Sequence, residues 1–147
     1  MNEQTKKYWN DYWVTQGKPQ PENVDAFQFG ASADWLASLV VEGEKTATCS
    51  ARVFYEVEKE PLPQTGQYSI VLNSMDLPVA IIQLTNVSIM PMNEVPLDFA
   101  LAEGEGDYDY WWNAHEQFFE KELEPYGIAF SEDMVLVCER FKVIHKG

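Results

Sequence analysis

Leu39-Val40-Val41-Glu42-Gly43-Glu44-Lys45-Thr46-Ala47-Thr48-Cys49-Ser50-Ala51-Arg52 passes from an apolar, helix-like segment through a glycine to a lysine, and then into a run of small hydroxyl residues. Gly43 stands where a helix C-terminus favours a left-handed residue, because glycine has no Cβ to clash there. The residues after it alternate as a strand does. Thr46, Thr48, Ser50 and Arg52 share one face, a row of donors ending in a cation. Ala47, Cys49 and Ala51 share the other, small and apolar and fit to pack on a core. Strict strand geometry sets Lys45 and Thr48 on opposite faces, so the two meet only if the chain bends between Gly43 and Thr46.

That corner has the groups for chemistry. A lysine partly desolvated beside a turn becomes a usable base. A threonine hydroxyl is a weak nucleophile until a base takes its proton. Read alone, the same residues also describe a surface lysine after a helix, followed by an ordinary threonine-rich strand.

The whole chain bounds the function. Its 147 residues, 46% hydrophobic and 14% aromatic, predict one packed domain rather than disorder. No apolar run approaches the roughly 20 residues that span a bilayer. The polar, aromatic N-terminus does not read as a secretory signal, which predicts a cytoplasmic protein. Cys49 and Cys138 lie in apolar strand-like runs without Cys-x-x-Cys spacing, and are expected to be reduced core residues. The 24 acidic residues against 10 basic ones leave a net charge of −14. Long nucleic acids bind mainly through phosphate neutralisation, so DNA is not expected and tight, general RNA binding is disfavoured. A small neutral or cationic ligand suits this charge better.

Along the chain, positions 5, 8, 9, 12 and 13 form one helical stripe that includes Tyr8, Trp9, Tyr12 and Trp13, ending near Gly17. Lys18 to Asp25 reads as a loop, and Phe27 to Gly30 as a short strand or turn. Ser32 caps a helix that runs to Gly43 with Trp35, Leu36, Leu39 and Val40 on its buried face. Val53 to Glu60 predicts a short helix or irregular turn. Gln67 to Leu72 is a strand, and Val79 to Met90 is one long bent strand or two. Asp98 to Glu103 is a short helix broken by Gly104-Glu105-Gly106. Asp107 then caps a helix to about Glu124, whose apolar stripe carries Trp111, Trp112, His115 and Phe119. His115 on that stripe reads as a satisfied structural histidine. Met134 to Ile144 reads as the closing strand, with His145 as a tail residue. Two histidines 30 positions apart, with no carboxylate at ligand spacing, make a zinc site unexpected.

Gly43-Glu44-Lys45-Thr46-Ala47-Thr48 resembles the G-x-K-x-x-T signature of the ASCH domain, a PUA-like barrel. Glu60-Pro61-Leu62-Pro63, Gly66, Tyr68 to Leu72, Phe99 to Asp107 and Val137 to Phe141 are similar to blocks of its bacterial single-domain branch, in the same order. The resemblance covers Ala26 to His145. It implies an α+β fold, a small mixed or antiparallel β-barrel with flanking helices. Residues 1–25 would form an N-terminal amphipathic helix and loop packed on the barrel, and residues 26–147 the ASCH domain.

In the ASCH enzymes that hydrolyse N4-acetylcytidine, a lysine, a threonine and a later glutamate are catalytic. The matching positions are Lys45, Thr48 and Glu103, with Glu105 a rival for the acid. The resemblance implies that Lys45 deprotonates Thr48, that Thr48 attacks an amide carbonyl, and that Glu103 protonates the leaving amine or orients Lys45. Thr46, Ser50, Arg52 and Glu105 would contact the ligand, with Thr46 and Ser50 near the oxyanion. An ionised Glu103 beside Lys45 would oppose its use as a base, so the pair either shares a proton or is separated by water. No cofactor is implied, and the partner is a small nucleoside-like ligand or a short RNA. The second reading is an RNA-binding or ribonuclease-like ASCH module, in which Lys45, Arg52 and the hydroxyl row hold a phosphate or a flipped base.

Overall fold

The computed structural model describes residues 1–147. Its order is α1 (Glu3–Gln16), β1 (Val24–Gln28), α2 (Ala33–Glu42), β2 (Ala47–Ala51), α3 (Arg52–Glu58), β3 (Tyr68–Leu72), β4 (Pro78–Pro91), α4 (Leu97–Ala102), α5 (Tyr108–Leu123) and β5 (Val135–Lys146). The five strands make one sheet in the order β1-β3-β4-β5-β2. β1 runs parallel to β3, and the other neighbours are antiparallel. The result is an α+β fold around a curled half-barrel.

The alternation of side chains along a strand explains how the helices divide. In β3 and β4, Ile70, Leu72 and Ile81 pack with Trp9 and Trp13 of α1. Their neighbours Val71, Ala80 and Ile82 pack with Leu36 and Val40 of α2. The two helices therefore cover opposite faces of the same strands. A third apolar group joins Ala47 and Ala51 of β2 to Phe99 of α4 and to Trp111 and Phe119 of α5. Curvature brings edge strands β1 and β2 to one cleft, over Ile82 and Leu84 of β4 and Glu139 and Phe141 of β5.

Three segments depart from the sequence expectation. β1 begins at Val24, inside the expected loop, because parallel pairing of Val24 to Tyr68 through Gln28 to Leu72 carries the strand expected near Phe27 back toward the N-terminus. α3 starts directly from β2 at Arg52. His145 is no tail residue. It pairs with Ile81 inside β5, and its ring lies 5.2 Å from Tyr8 and 5.1 Å from Tyr12.

Two glycines make the bends that bring the cleft's residues together. Gly43 ends α2 at φ +81°, its N–H bonded to the Val40 carbonyl. Gly104 ends α4 at φ +79°, and a Cβ there would sit 2.7 Å from the Glu44 carbonyl oxygen. A Cβ on Gly43 would meet nothing within 4 Å. Gly43→Ala is therefore expected to cost about 1–2 kcal/mol from left-handed strain alone. Gly104→Ala should cost at least about 2 kcal/mol more, because it also overlaps backbone. Urea unfolding of the two variants measures the difference, and equal losses would contradict the close approach at Gly104.

Candidate functional site

After Gly43 the chain doubles back. The N–H groups of Glu44 and Lys45 both bond to the Leu39 carbonyl, at 2.9 and 3.1 Å. Thr46 N–H then reaches the Ala102 carbonyl at 2.7 Å, and Phe141 N–H the Thr46 carbonyl at 3.0 Å. Lys45 is thus clamped between the C-termini of α2 and α4 before β2 begins. Its side chain is turned inward and only 2% exposed. Nζ donates to the Glu103 carbonyl oxygen and to Glu103 Oε1, each at 3.3 Å, and lies 5.1 Å from the centre of the Phe29 ring.

Glu103 follows the last turn of α4 and is equally buried. Four side chains converge on its carboxylate: Lys45 on Oε1, and Trp111 Nε1–H at 2.5 Å, Cys49 Sγ–H at 3.3 Å and His115 Nε2 at 3.3 Å on Oε2. Burial pushes this carboxyl up, but Lys45, His115 and the Trp111 N–H outweigh it and bring it down to about 2. Glu103 is therefore an anion throughout the physiological range.

His115 is set by the same carboxylate. Its Nδ1 lies 2.7 Å from the Trp111 carbonyl and its Nε2 faces Glu103, so both nitrogens meet acceptors and the ring carries both protons. Burial pulls it down while the bond and charge of Glu103 push it up, with a net rise. The ring also stacks on Trp111, 4.6 Å between centroids. The Cys49 thiol is pushed well up, by burial first and then by Glu103, which leaves it protonated and unreactive.

The expected residues sort into two groups. Lys45, Thr48, Glu103 and Glu105 line one small hollow of about 110 Å³, with Phe29 and His115. Thr48 and Ser50 also line a cleft of about 660 Å³ that shares Phe29, Gly30, Thr48, Cys49 and Phe118 with the hollow. Glu105 makes no hydrogen bond within the chain, and burial raises its carboxyl despite Lys45 and His115 nearby. Ser50 Oγ is bonded to Tyr55 OH at 3.0 Å. Thr46 and Arg52 line neither space. Thr46 is exposed with Oγ1 toward the Ala102 carbonyl, and Arg52 turns outward to Glu56 at 3.7 Å. Strand alternation would keep Arg52 in the hydroxyl row, but β2 ends at Ala51 and α3, which begins at Arg52, carries it out.

A model of the ASCH domain matches residues 25–145. The chain belongs to the ASCH family. Among solved structures, an Enterococcus faecalis V583 protein is 42% identical, covering 98% of this chain and 90% of its own, with a TM-score of 0.87. An ASCH domain from Lactobacillus crispatus JV V101 is 36% identical, covering 97% of this chain and 95% of its own, with a TM-score of 0.90. No curated protein matches. The curled sheet with flanking helices is the ASCH fold, and α1 lies ahead of the matched region.

Trp111, His115 and Cys49 are the members of this ASCH site that the sequence pattern did not single out. The signal was present for two of them. Trp111 and His115 are one helical turn apart on α5, whose phase Asp107 sets by capping Tyr110 N–H at 2.8 Å. Cys49, Glu103 and His115 bring possible ligand atoms within 4.8 Å of one another, a donor set that zinc accepts. Here the Trp111 N–H and the Lys45 ammonium point at the same carboxylate and would oppose a dication, so the residues fit a proton network and not a metal centre. No helix is long and apolar enough to cross a membrane.

Removing Glu103's charge leaves Lys45 buried without a counter-ion, and such losses cost about 3–5 kcal/mol. Glu103→Gln is expected to lose that much at pH 7. The sign with pH follows from a carboxyl lowered to about 2: its stabilisation is complete above the unfolded value near 4.5 and disappears as pH falls from there toward 2. Thermal unfolding of both proteins from pH 8 to 2 should show a constant gap down to about pH 5 that closes below it. A gap that widens in acid would contradict the assignment.

Proposed function

We propose that this ASCH protein hydrolyses the amide of a small N-acylated, cytidine-like nucleoside in the cleft that ends at Lys45 and Thr48. One observation supports the reading: a lysine 1% exposed, held by a buried carboxylate, lines a cavity that Thr48 also lines. Burying an ion pair costs several kcal/mol per ion before attraction repays it. A core would be served as well by apolar side chains. An ammonium fixed in a low-dielectric hollow serves a site where negative charge develops.

The roles follow from the bonds already made. Two of the three Lys45 donors are taken by Glu103, and the third has no acceptor in the chain. That donor polarises the ligand carbonyl and holds the oxyanion formed when Thr48 Oγ1 attacks. Glu103, anionic and saturated with donors, orients Lys45 rather than protonating the leaving group. The alternative of a proton shared between Lys45 and Glu103 is disfavoured by a carboxyl brought down to about 2. Glu105, with free oxygens in the same hollow, accepts the exocyclic N–H of the ligand. The larger cleft, at about 660 Å³, has room for a nucleoside.

Charge supports a small ligand over an RNA chain. Lys45 and His115 are the cations of the two connected spaces, and Glu22, Asp25, Glu60 and Glu139 line the cleft outside them. Such a rim repels successive phosphates. A panel of N-acylated nucleosides tests the reading by amine release. Turnover of a cytidine amide is expected. Lys45→Met should lower kcat by about 10²–10³-fold, as loss of an oxyanion donor does, and Thr48→Ala should abolish it. No release from any amide, with tight binding of a short RNA at low salt, would overturn the reading in favour of the RNA module.

A further inference from the structure

The Glu103 pairing leaves a gap in the chemistry. Lys45 is occupied as a cation, so Thr48 needs another group to take its proton. Glu139 stands directly across from Thr48 in the β2–β5 ladder. Residues paired this way project on the same face, with Cβ atoms about 4.5–5.5 Å apart. Both side chains line the large cleft. The position is built into the centre of the sheet, since β5 lies between β4 and β2 and Glu139 also pairs with Val87. The Glu139 carboxyl has no hydrogen-bond or ion-pair partner in the chain. Burial, and then the charge of Asp25, hold its carboxyl up at about 7.

We propose that Glu139 is the general base for Thr48, a deepening that rests on the amide-hydrolase reading. The carboxylate takes the Thr48 Oγ1 proton as that oxygen bonds to the acyl carbon. The carbonyl π pair moves to oxygen, where the Lys45 ammonium holds it. Collapse breaks the C–N bond, and Glu139 returns the proton to the departing amine nitrogen. Water then attacks the acyl-threonine ester, gives one proton to Glu139, and Glu139 passes it to Thr48 as the acid leaves. The cycle consumes one water and needs no oxidant, metal or cofactor.

The surroundings of Glu139 suit a base near neutrality. Asp25 faces it from β1 and Tyr55 from α3, while Glu22 and Glu60 lie on the rim. Tyr55 has a raised value and stays neutral, so the carboxylates set the local potential. Asp25 opposes ionisation of Glu139, and no cation neutralises it. With a value raised to about 7, Glu139 is protonated and idle at pH 5 and becomes a base as pH rises through 7.

The test does not depend on knowing the amide. p-Nitrophenyl acetate acylates an activated threonine without nucleoside recognition, and peptide mass spectrometry locates the acetyl group. Wild-type protein is expected to acquire acetyl on Thr48 at a rate that climbs through pH 7. Glu139→Gln should slow it at least 10²-fold and remove the pH limb, and Glu139→Asp should retain a limb at reduced rate. Thermal midpoints of both variants confirm folding, and Glu139→Asp carries the test if the glutamine variant unfolds. Absence of acetyl on Thr48, or acylation of Glu139→Gln within threefold of wild type with the limb intact, would overturn the proposal. Acylation that depends on Glu139, alongside a nucleoside panel with no turnover, would keep the base and discard the substrate.

Discussion

The carboxylate of Glu103 is the constraint on which the rest of the site depends. It ties together elements far apart in sequence: the turn before β2 through Lys45, β2 itself through Cys49, and two successive turns of α5 through Trp111 and His115. An anion in a dry interior is tolerable only when donors surround it. Satisfying it therefore fixes the phase of α5 against β2 and the depth to which Lys45 enters. Gly104 shares in this, since its contact with the Glu44 carbonyl presses the end of α4 against the Lys45 turn. The fold does not merely hold a site; a charged group at its centre determines which packing is allowed.

That arrangement reverses the roles a lysine–threonine pair suggests. Beside a neutral partner, a buried lysine gives up its proton and becomes a base. Beside a carboxylate that carries its charge at all moderate pH, the charged form of a lysine is favoured, and in the proposed reaction Lys45 serves as a donor rather than a base. The imidazolium of His115 adds a second positive group behind the same carboxylate. Lys45 and His115 thus place cationic groups in the hollow beside Glu103 and Glu105, whereas the rim of the large cleft carries only acidic groups. The proposed ligand, a neutral amide with its carbonyl innermost, meets no like charge at either place, whereas a polyphosphate would meet the acidic rim.

Much of this was legible in the chain. Gly43 as a left-handed stop, the alternation of β2 and the capping of α5 by Asp107 are local signals, and the structure carries all three. The aromatic stripe of α1 and most of the apolar face of α2 were legible because helical periodicity reports burial, but Trp35, expected on that face, is exposed. What was hidden was tertiary. β1 reaches back to Val24 because β3 pairs with it there. His115 reads as packing until one knows that an anion lies beneath it. Glu139 falls in an alternating run next to Arg140, and its distinction comes from the register that sets it opposite Thr48. Arg52 and Thr46 looked equivalent to Thr48 on a strand face, but a helix start and an exposed corner carry them away from the cleft.

The comparison of Glu139 with Glu103 shows why geometry, not residue type, assigns chemistry here. Both are buried to a large degree in the same small domain. One accepts from four side chains and is brought down to about 2; the other has no partner, faces Asp25 and is held up at about 7. A carboxylate already accepting from four side chains, two of them cationic, holds its charge, so it serves as an anchor. A carboxylate without partners costs stability whenever it ionises, because the unfolded chain releases that proton more readily. The sign is definite: between the unfolded value near 4.5 and the folded value near 7, rising pH weakens the fold through Glu139. A cost of that kind placed in a cleft opposite a hydroxyl is what a proton-accepting site requires, and a surface lined only for solubility has no reason to bear it.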